Sequence, residues 1–144
     1  MNTLIVIIGP TGIGKTKVAI EVAEHFNIPI INADSRQMYA EIPIGTAAPT
    51  QEQQARVKHF FVGNLHISDY YNASMFEADV MALLNDMFLE NPIALMSGGS
   101  MMYIDTVCNG IDDIPTIDDT TRKIMKERLE TEELEALVDE LKTL

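Results

Sequence analysis

Three glycines, a lysine and two hydroxyls fall close together in Gly9-Pro10-Thr11-Gly12-Ile13-Gly14-Lys15-Thr16, a spacing suited to gripping a phosphate chain. Glycines let successive backbone N–H groups converge on an anion, and the N-terminus of a following helix adds its dipole. Lys15 brings a full positive charge, and the Thr16 hydroxyl is the expected ligand for Mg²⁺. The motif therefore predicts binding of a di- or triphosphate group, a nucleotide being one such ligand.

What happens to that phosphate depends on a second group. P-loop nucleotidases usually carry an aspartate at the end of another buried strand to organise Mg²⁺. Here the apolar run Ile93-Ala94-Leu95-Met96 passes into Ser97-Gly98-Gly99 with no carboxylate. Asp34 follows a core strand closely and faces the same cleft if the first two strands share a sheet, which suits a general base acting on a second substrate. Its alternative reading is a turn residue or helix cap. Ser100 opens a helix behind two glycines, so its hydroxyl and nearby N–H groups could hold an anion opposite the P-loop; the alternative is a plain N-cap serine.

Other reactive types carry less. His59 opens an apolar strand without a partner at metal-ligand spacing and reads as a structural histidine. Cys108 is the single cysteine, which excludes an internal disulfide and a Cys-based zinc site, and it reads as a small buried apolar residue. Met101 and Met102 read as core filling, or as the lining of an apolar pocket.

These groups need elements to position them. Thr3 to Ile8 is a continuous apolar, β-branched run, as in a strand covered on both faces. Val18, Ala19, Val22, Ala23 and Phe26 recur at helical spacing between Lys15 and Phe26, and Asn27 supplies a stop. Pro29 to Asn32 reads as a second strand, Ser35 to Pro49 as an irregular loop, and His59 to Val62 as a third strand. Thr50-Gln51-Glu52-Gln53 and Ser74-Met75-Phe76-Glu77 have the form of capping boxes. The second opens a helix with the apolar stripe Phe76, Val80, Leu83, Leu84, Met87 and Phe88, ended by Asn91-Pro92. Ile93 to Met96 is a fourth strand, with a helix after it that stops at Asn109-Gly110.

This alternation predicts an α/β fold of the P-loop NTPase type, a three-layer parallel sheet with ligands at the carboxyl ends of the strands. Beyond Gly110 the character changes at Asp112, Asp113 and Pro115, and the charged stretch from Asp118 to Leu144 reads as two helices. The expected organisation is a core over residues 1–111 and a helical unit over 112–144.

With 144 residues, 47% of them hydrophobic, the chain is long enough to bury a core. Its apolar runs are too short to cross a bilayer and no basic-then-apolar leader is seen, so the expected location is cytoplasmic. A net charge of −12 argues against nucleic-acid binding through the bulk surface.

Four blocks occurring in order are specific enough to name a family. Gly9 to Thr16, Asp34-Ser35-Arg36-Gln37-Met38-Tyr39, Ile44 to Thr50 and Gly98-Gly99-Ser100-Met101-Met102-Tyr103 together resemble the tRNA dimethylallyltransferases, over roughly residues 1–143. The resemblance implies transfer of a dimethylallyl group from dimethylallyl diphosphate to N6 of adenosine 37, in tRNAs that read codons beginning with U. It implies that Asp34 is the base and Ser100 a second catalytic residue, standing where the family has threonine. Lys15, Thr16 with Mg²⁺ and the loop amides would then clamp the diphosphate.

The resemblance also implies that Asp34, Ser35, Arg36, Gln37, Ser100 and Arg122 meet the tRNA anticodon stem-loop. Ala48 stands where many relatives have lysine, and His59-Phe60 where many have two histidines. Family members continue well past the position of Leu144, so the chain is expected to be an incomplete domain that stops within a helical insert and binds the stem-loop weakly by itself. The full-length form is expected to be a monomer. Two rival enzymes share the motif: a P-loop small-molecule or nucleotide kinase, and an adenylate isopentenyltransferase acting on free nucleotide. A non-catalytic half-domain that binds anions or associates through open sheet edges is the remaining alternative.

Overall fold

In the computed structural model, which describes residues 1–111 and 117–143, the elements in chain order are β1 (Thr3–Ile8), α1 (Lys15–Phe26), β2 (Ile30–Asn32), α2 (Gln51–Arg56), β3 (His59–Phe60), α3 (Ala73–Glu90), β4 (Ile93–Gly98), α4 (Met101–Asn109), α5 (Asp119–Thr131) and α6 (Leu134–Lys142). The strands form one four-stranded sheet in the order β1-β4-β2-β3, parallel throughout. The chain divides into two compact units, Met1–Ile111 and Asp112–Leu144. Asp112, Asp113 and Pro115, where the sequence changes character, lie outside the described residues. No helix among the described residues is long and apolar enough to cross a membrane.

In the first unit the strands are apolar without alternation because both faces of the sheet are covered. Leu4 and Val6 of β1, Ile31 of β2, and Ala94 and Met96 of β4 face a core shared with Phe76, Val80 and Leu84 of α3 and Ile104 of α4. The alternate residues Ile5, Ile7, Ile30 and Leu95 face Ala19, Ile20 and Ala23 of α1. This period of two, read on both sides, is the three-layer arrangement the sequence predicts. Phe76, Ile31 and Met96 are completely buried, and each such side chain stabilises the fold by about 1.5–3 kcal/mol.

Several local expectations change. The contact face of α1 is Ala19, Ile20 and Ala23, whereas Val18 and Phe26, assigned to it by spacing, are 49% and 37% exposed. The cap of α3 is Asn72, whose side chain accepts a hydrogen bond from Met75 N at 3.0 Å. Ser74 already lies within the first turn, so the predicted box is displaced by a competent capping residue two positions earlier. The Thr50 box forms as expected. β3 stops at Phe60, because Phe61 takes a left-handed φ of 61°; its ring packs edge-on to Phe76 and its carbonyl accepts from buried Asn32. Cys108 is exposed rather than buried, since α4 turns Ile104 and Thr106 inward. Met101 and Met102 are exposed too, outside the core.

β4 runs through Ser97 and Gly98, which pair with Ile7 and Ile8 of β1, so part of the expected glycine turn is strand. A Cβ on Gly98 would lie 2.1 Å from the Ala33 carbonyl oxygen. Only glycine lets the ends of β2 and β4 come this close.

In the second unit, Asp118 caps α5 by accepting from Thr121 N at 2.7 Å, and these bonds hold its carboxyl below the usual range. Arg128 of α5 binds Glu132 and reaches Glu140 of α6, which joins the two helices.

Candidate functional site

The sequence between β1 and α1 builds an anion cradle. The chain leaves β1 at Ile8 and enters α1 through Gly14, which takes the N-cap position with φ 95° and ψ 14°. This left-handed conformation suits glycine, and Gly14 has no side chain with which to accept a bond from the first turn. Lys17 N donates to the Gly14 carbonyl at 3.1 Å, which leaves the N–H groups of Lys15 and Thr16 to meet an anion, and the helix dipole acts in the same direction. Lys15 Nζ donates to the Pro10 carbonyl at 2.8 Å, which ties the lysine across its own loop.

A cleft of about 230 Å³ opens at this point, lined by Thr11, Gly12, Gly14, Lys15 and Thr16 on one side and by Asp34 and Gln37 on the other. β1 and β2 lie in one sheet with β4 between them, so their carboxyl ends face the same space. Gly99 lies near both sides. A Cβ there would sit 3.6 Å from Asp34 Oδ2, 3.6 Å from the Gly9 carbonyl oxygen and 3.9 Å from Lys15 Nζ. A carboxylate and an ammonium group thus flank one small volume.

Asp34 is also a turn residue: Oδ1 accepts from Arg36 N at 3.2 Å, and its carbonyl accepts from Gln37 N at 3.1 Å. Ser100 makes no capping bond to α4. Its hydroxyl accepts from Ser35 N at 2.8 Å and donates to Ser35 Oγ at 3.0 Å, so it ties the Asp34–Gln37 segment to the end of β4. Gly9, Pro10 and Ile13 shape the loop without lining the cleft, and Arg36 is exposed beside it. Arg122 belongs to the second unit, where its Nε donates to the Ile117 carbonyl at 3.4 Å.

Three wall residues are not apparent from sequence spacing. Ala47 and Pro49 come from the long loop after β2, and His59 from the start of β3. His59 Nδ1 donates to the Val57 carbonyl at 2.8 Å, which leaves Nε2 as the acceptor. Burial pushes this imidazole below its ordinary pKa, so it is neutral at pH 7. Among the described residues no group of three or more metal-binding side chains occurs. Any Mg²⁺ would rely on the Thr16 hydroxyl and on oxygens of the ligand, a donor set that Mg²⁺ commonly uses.

The family model described as IPP transferase matches residues 37–144, a span that begins after the P-loop. The chain is 55% identical over 143 residues to tRNA dimethylallyltransferase 1 of Phocaeicola vulgatus, covering 99% of this chain and 48% of that protein. The crystal structure of the full-length tRNA isopentenylpyrophosphate transferase of Bacillus halodurans superposes with a TM-score of 0.75 at 26% identity, over 99% of this chain and 48% of that one. A eukaryotic dimethylallyltransferase acting on tRNA gives a TM-score of 0.73 at 29% identity, over 83% of this chain and 31% of that one. The chain spans about half the length of the curated relatives it matches.

Proposed function

The chain belongs to the IPP transferase family, and from that membership we propose that its cleft binds dimethylallyl diphosphate and, in a protein of the relatives' full length, delivers the dimethylallyl group to N6 of adenosine 37 in a tRNA anticodon stem-loop. In this reaction the amine nitrogen bonds to the allylic carbon while the carbon–oxygen bond to diphosphate breaks. The diphosphate leaves with the bonding electrons, and the amine gives up a proton.

Asp34 receives that proton, directly or through one water, as general base. Lys15 and the amides of the P-loop meet the negative charge that grows on the leaving diphosphate. The Thr16 hydroxyl is the group that would hold Mg²⁺, whose chemistry is to neutralise diphosphate oxygens. Ser100 keeps Ser35, and with it the Asp34 turn, in position. Asp34, Ser35, Arg36, Gln37 and Arg122 are the residues proposed to meet the RNA in the cytoplasm.

The observation that carries this reading is the meeting of Asp34 and Lys15 around Gly99. Support also comes from the end of β4, where Ser97 and Gly98 stand in place of a strand-end carboxylate, an arrangement suited to releasing diphosphate rather than to transferring a phosphoryl group.

Two measurements test it. Dimethylallyl diphosphate binds the chain with Mg²⁺ and is displaced by pyrophosphate; a chain that binds ATP and ignores the prenyl donor refutes the donor assignment. With the protein at the relatives' full length, the stem-loop gains the mass of one dimethylallyl group, and Asp34→Asn slows transfer by about 10²–10⁴-fold. Undiminished transfer by Asp34→Asn removes the base.

A further inference from the structure

The loop between Ile42 and Ala48 takes a conformation that its own sequence does not favour. Ala47 has φ 52°, a region that side chains with a Cβ seldom enter, while Gly45 in the same loop has no positive φ. The residue in the costly conformation is therefore not the glycine: bonds within the loop, from Thr46 N to the Ile42 carbonyl at 3.3 Å and from Ala48 N to the Pro43 carbonyl at 3.0 Å, shape the turn, and a side chain from outside adds to them.

That side chain is Gln37. Its Nε2 donates to the Thr46 carbonyl at 3.0 Å and to the Ala47 carbonyl at 3.2 Å. The backbone of Gln37 is fixed in turn, with its N–H on the Asp34 carbonyl at 3.1 Å and its carbonyl accepting from Gly63 N at 3.0 Å. A carboxamide has two N–H donors, and both are used here, so Oε1 alone is free for a substrate. Two residues that this arrangement positions, Ala47 and Pro49, line the cleft together with the P-loop.

We propose that Gln37 is a positioning residue that clasps the Ile42–Ala48 loop against the cleft, so that Ala47 and Pro49 form the wall holding the organic part of the donor, beyond its diphosphate. The ligand in this inference rests on the donor proposed above; the clasp itself rests on the hydrogen bonds.

The test uses the 144-residue chain as wild type, Gln37→Ala, Gln37→Glu, Ala47→Gly and the double variant Gln37→Ala/Ala47→Gly. Amide hydrogen exchange at Thr46, Ala47 and Ala48 reads the loop directly. Loss of the two donors in Gln37→Ala speeds exchange there by roughly 10-fold or more. Gln37→Glu, which keeps the shape and lacks the N–H groups, behaves the same way. The double variant recovers most of the protection, because glycine takes positive φ without a Cβ penalty. Affinities for inorganic pyrophosphate and for dimethylallyl S-thiolodiphosphate, an unreactive donor analogue, are measured with Mg²⁺. Gln37→Ala weakens the analogue by about tenfold more than it weakens pyrophosphate, and Ala47→Gly restores that difference.

Unchanged exchange in Gln37→Ala, or no recovery in the double variant, overturns the clasp. Equal loss for both ligands overturns the assignment of the wall to the organic group. A wild type that binds pyrophosphate but not the analogue defeats the donor reading, while the exchange data still decide the clasp.

Discussion

Gly98 and Gly99 are adjacent, yet the structure assigns them different consequences on substitution by alanine. An ideal Cβ on Gly98 lies 2.1 Å from the oxygen and 2.2 Å from the carbonyl carbon of Ala33. Backbone cannot move aside as a side chain can, so β2 must withdraw from β4. That withdrawal breaks the bonds from Ala33 N to the Ser97 carbonyl at 2.9 Å and from Ser100 N to the Ala33 carbonyl at 3.1 Å. Two net hydrogen bonds at about 1 kcal/mol each, with about 1–3 kcal/mol for overpacking, give a loss of roughly 3–5 kcal/mol. With a urea slope of about 2 kcal/mol/M, the unfolding midpoint of Gly98→Ala falls by roughly 1.5–2.5 M. At Gly99 the nearest atoms are 3.6 Å away, an ordinary contact distance. Gly99→Ala therefore keeps its stability to within about 1 kcal/mol. Its methyl group instead enters the space between Asp34 Oδ2 and Lys15 Nζ, and pyrophosphate binding, measured by calorimetry, weakens by about tenfold. A Gly98→Ala midpoint within about 0.5 M of wild type, or an unfolded Gly99→Ala, refutes the contact geometry from which both values are worked.

Two more predictions use local chemistry. The bond from His66 Nδ1 to Glu41 Oε1 at 2.9 Å raises the His66 pKa and lowers that of Glu41, while burial lowers His59. Stability from the His66 pair is full below the ordinary imidazole value of 6.5 and fades as pH rises through the raised value; for His59 stability is instead lost as pH falls below 6.5. NMR titration therefore finds His66 above and His59 below that value, with Glu41→Gln returning His66 toward it; the reverse order defeats the assignment. In urea unfolding, Asn72→Ala costs about 1 kcal/mol as the cap of α3, and Ser74→Ala costs less than about 0.5 kcal/mol. Equal losses would give the cap back to Ser74.

The parts legible in the sequence are those whose cause is local. β1 and β4 show as apolar runs, α1 ends where Asn27 adopts φ 52°, and the gathering of Lys15, Thr16 and Asp34 at one cleft follows from motif and strand-end position. What escaped depends on a neighbour distant in the chain. Phe61 ends β3 because its ring meets Phe76 and its carbonyl meets Asn32, which no strand propensity contains. Gly98 looks like a turn residue until Ala33 is seen beside it. His59 enters the cleft wall because β3 pairs with β2, and Ala47 enters it because Gln37 holds a loop ten residues further on.

Asp34 shows why two readings of one residue need not compete. In the sequence, a turn aspartate and a general base are alternatives. In the structure the two carboxylate oxygens differ, Oδ1 receiving Arg36 N at 3.2 Å as a turn residue does and Oδ2 lying near Gly99, where the proposed base would act. The turn bond restricts rotation of the carboxylate, so the second oxygen keeps a constant direction toward the cleft, as a preorganised base requires. The same segment is tied to β4 through Ser35 and Ser100, and Ser100 N is tied back to Ala33. The position of the Asp34 carboxylate relative to the P-loop is thus set by the β2–β4 junction that Gly98 permits. Stability and the proposed proton transfer depend on the same few atoms there, and the missing side chain of Gly99 leaves room beside the carboxylate and the ammonium group for a ligand.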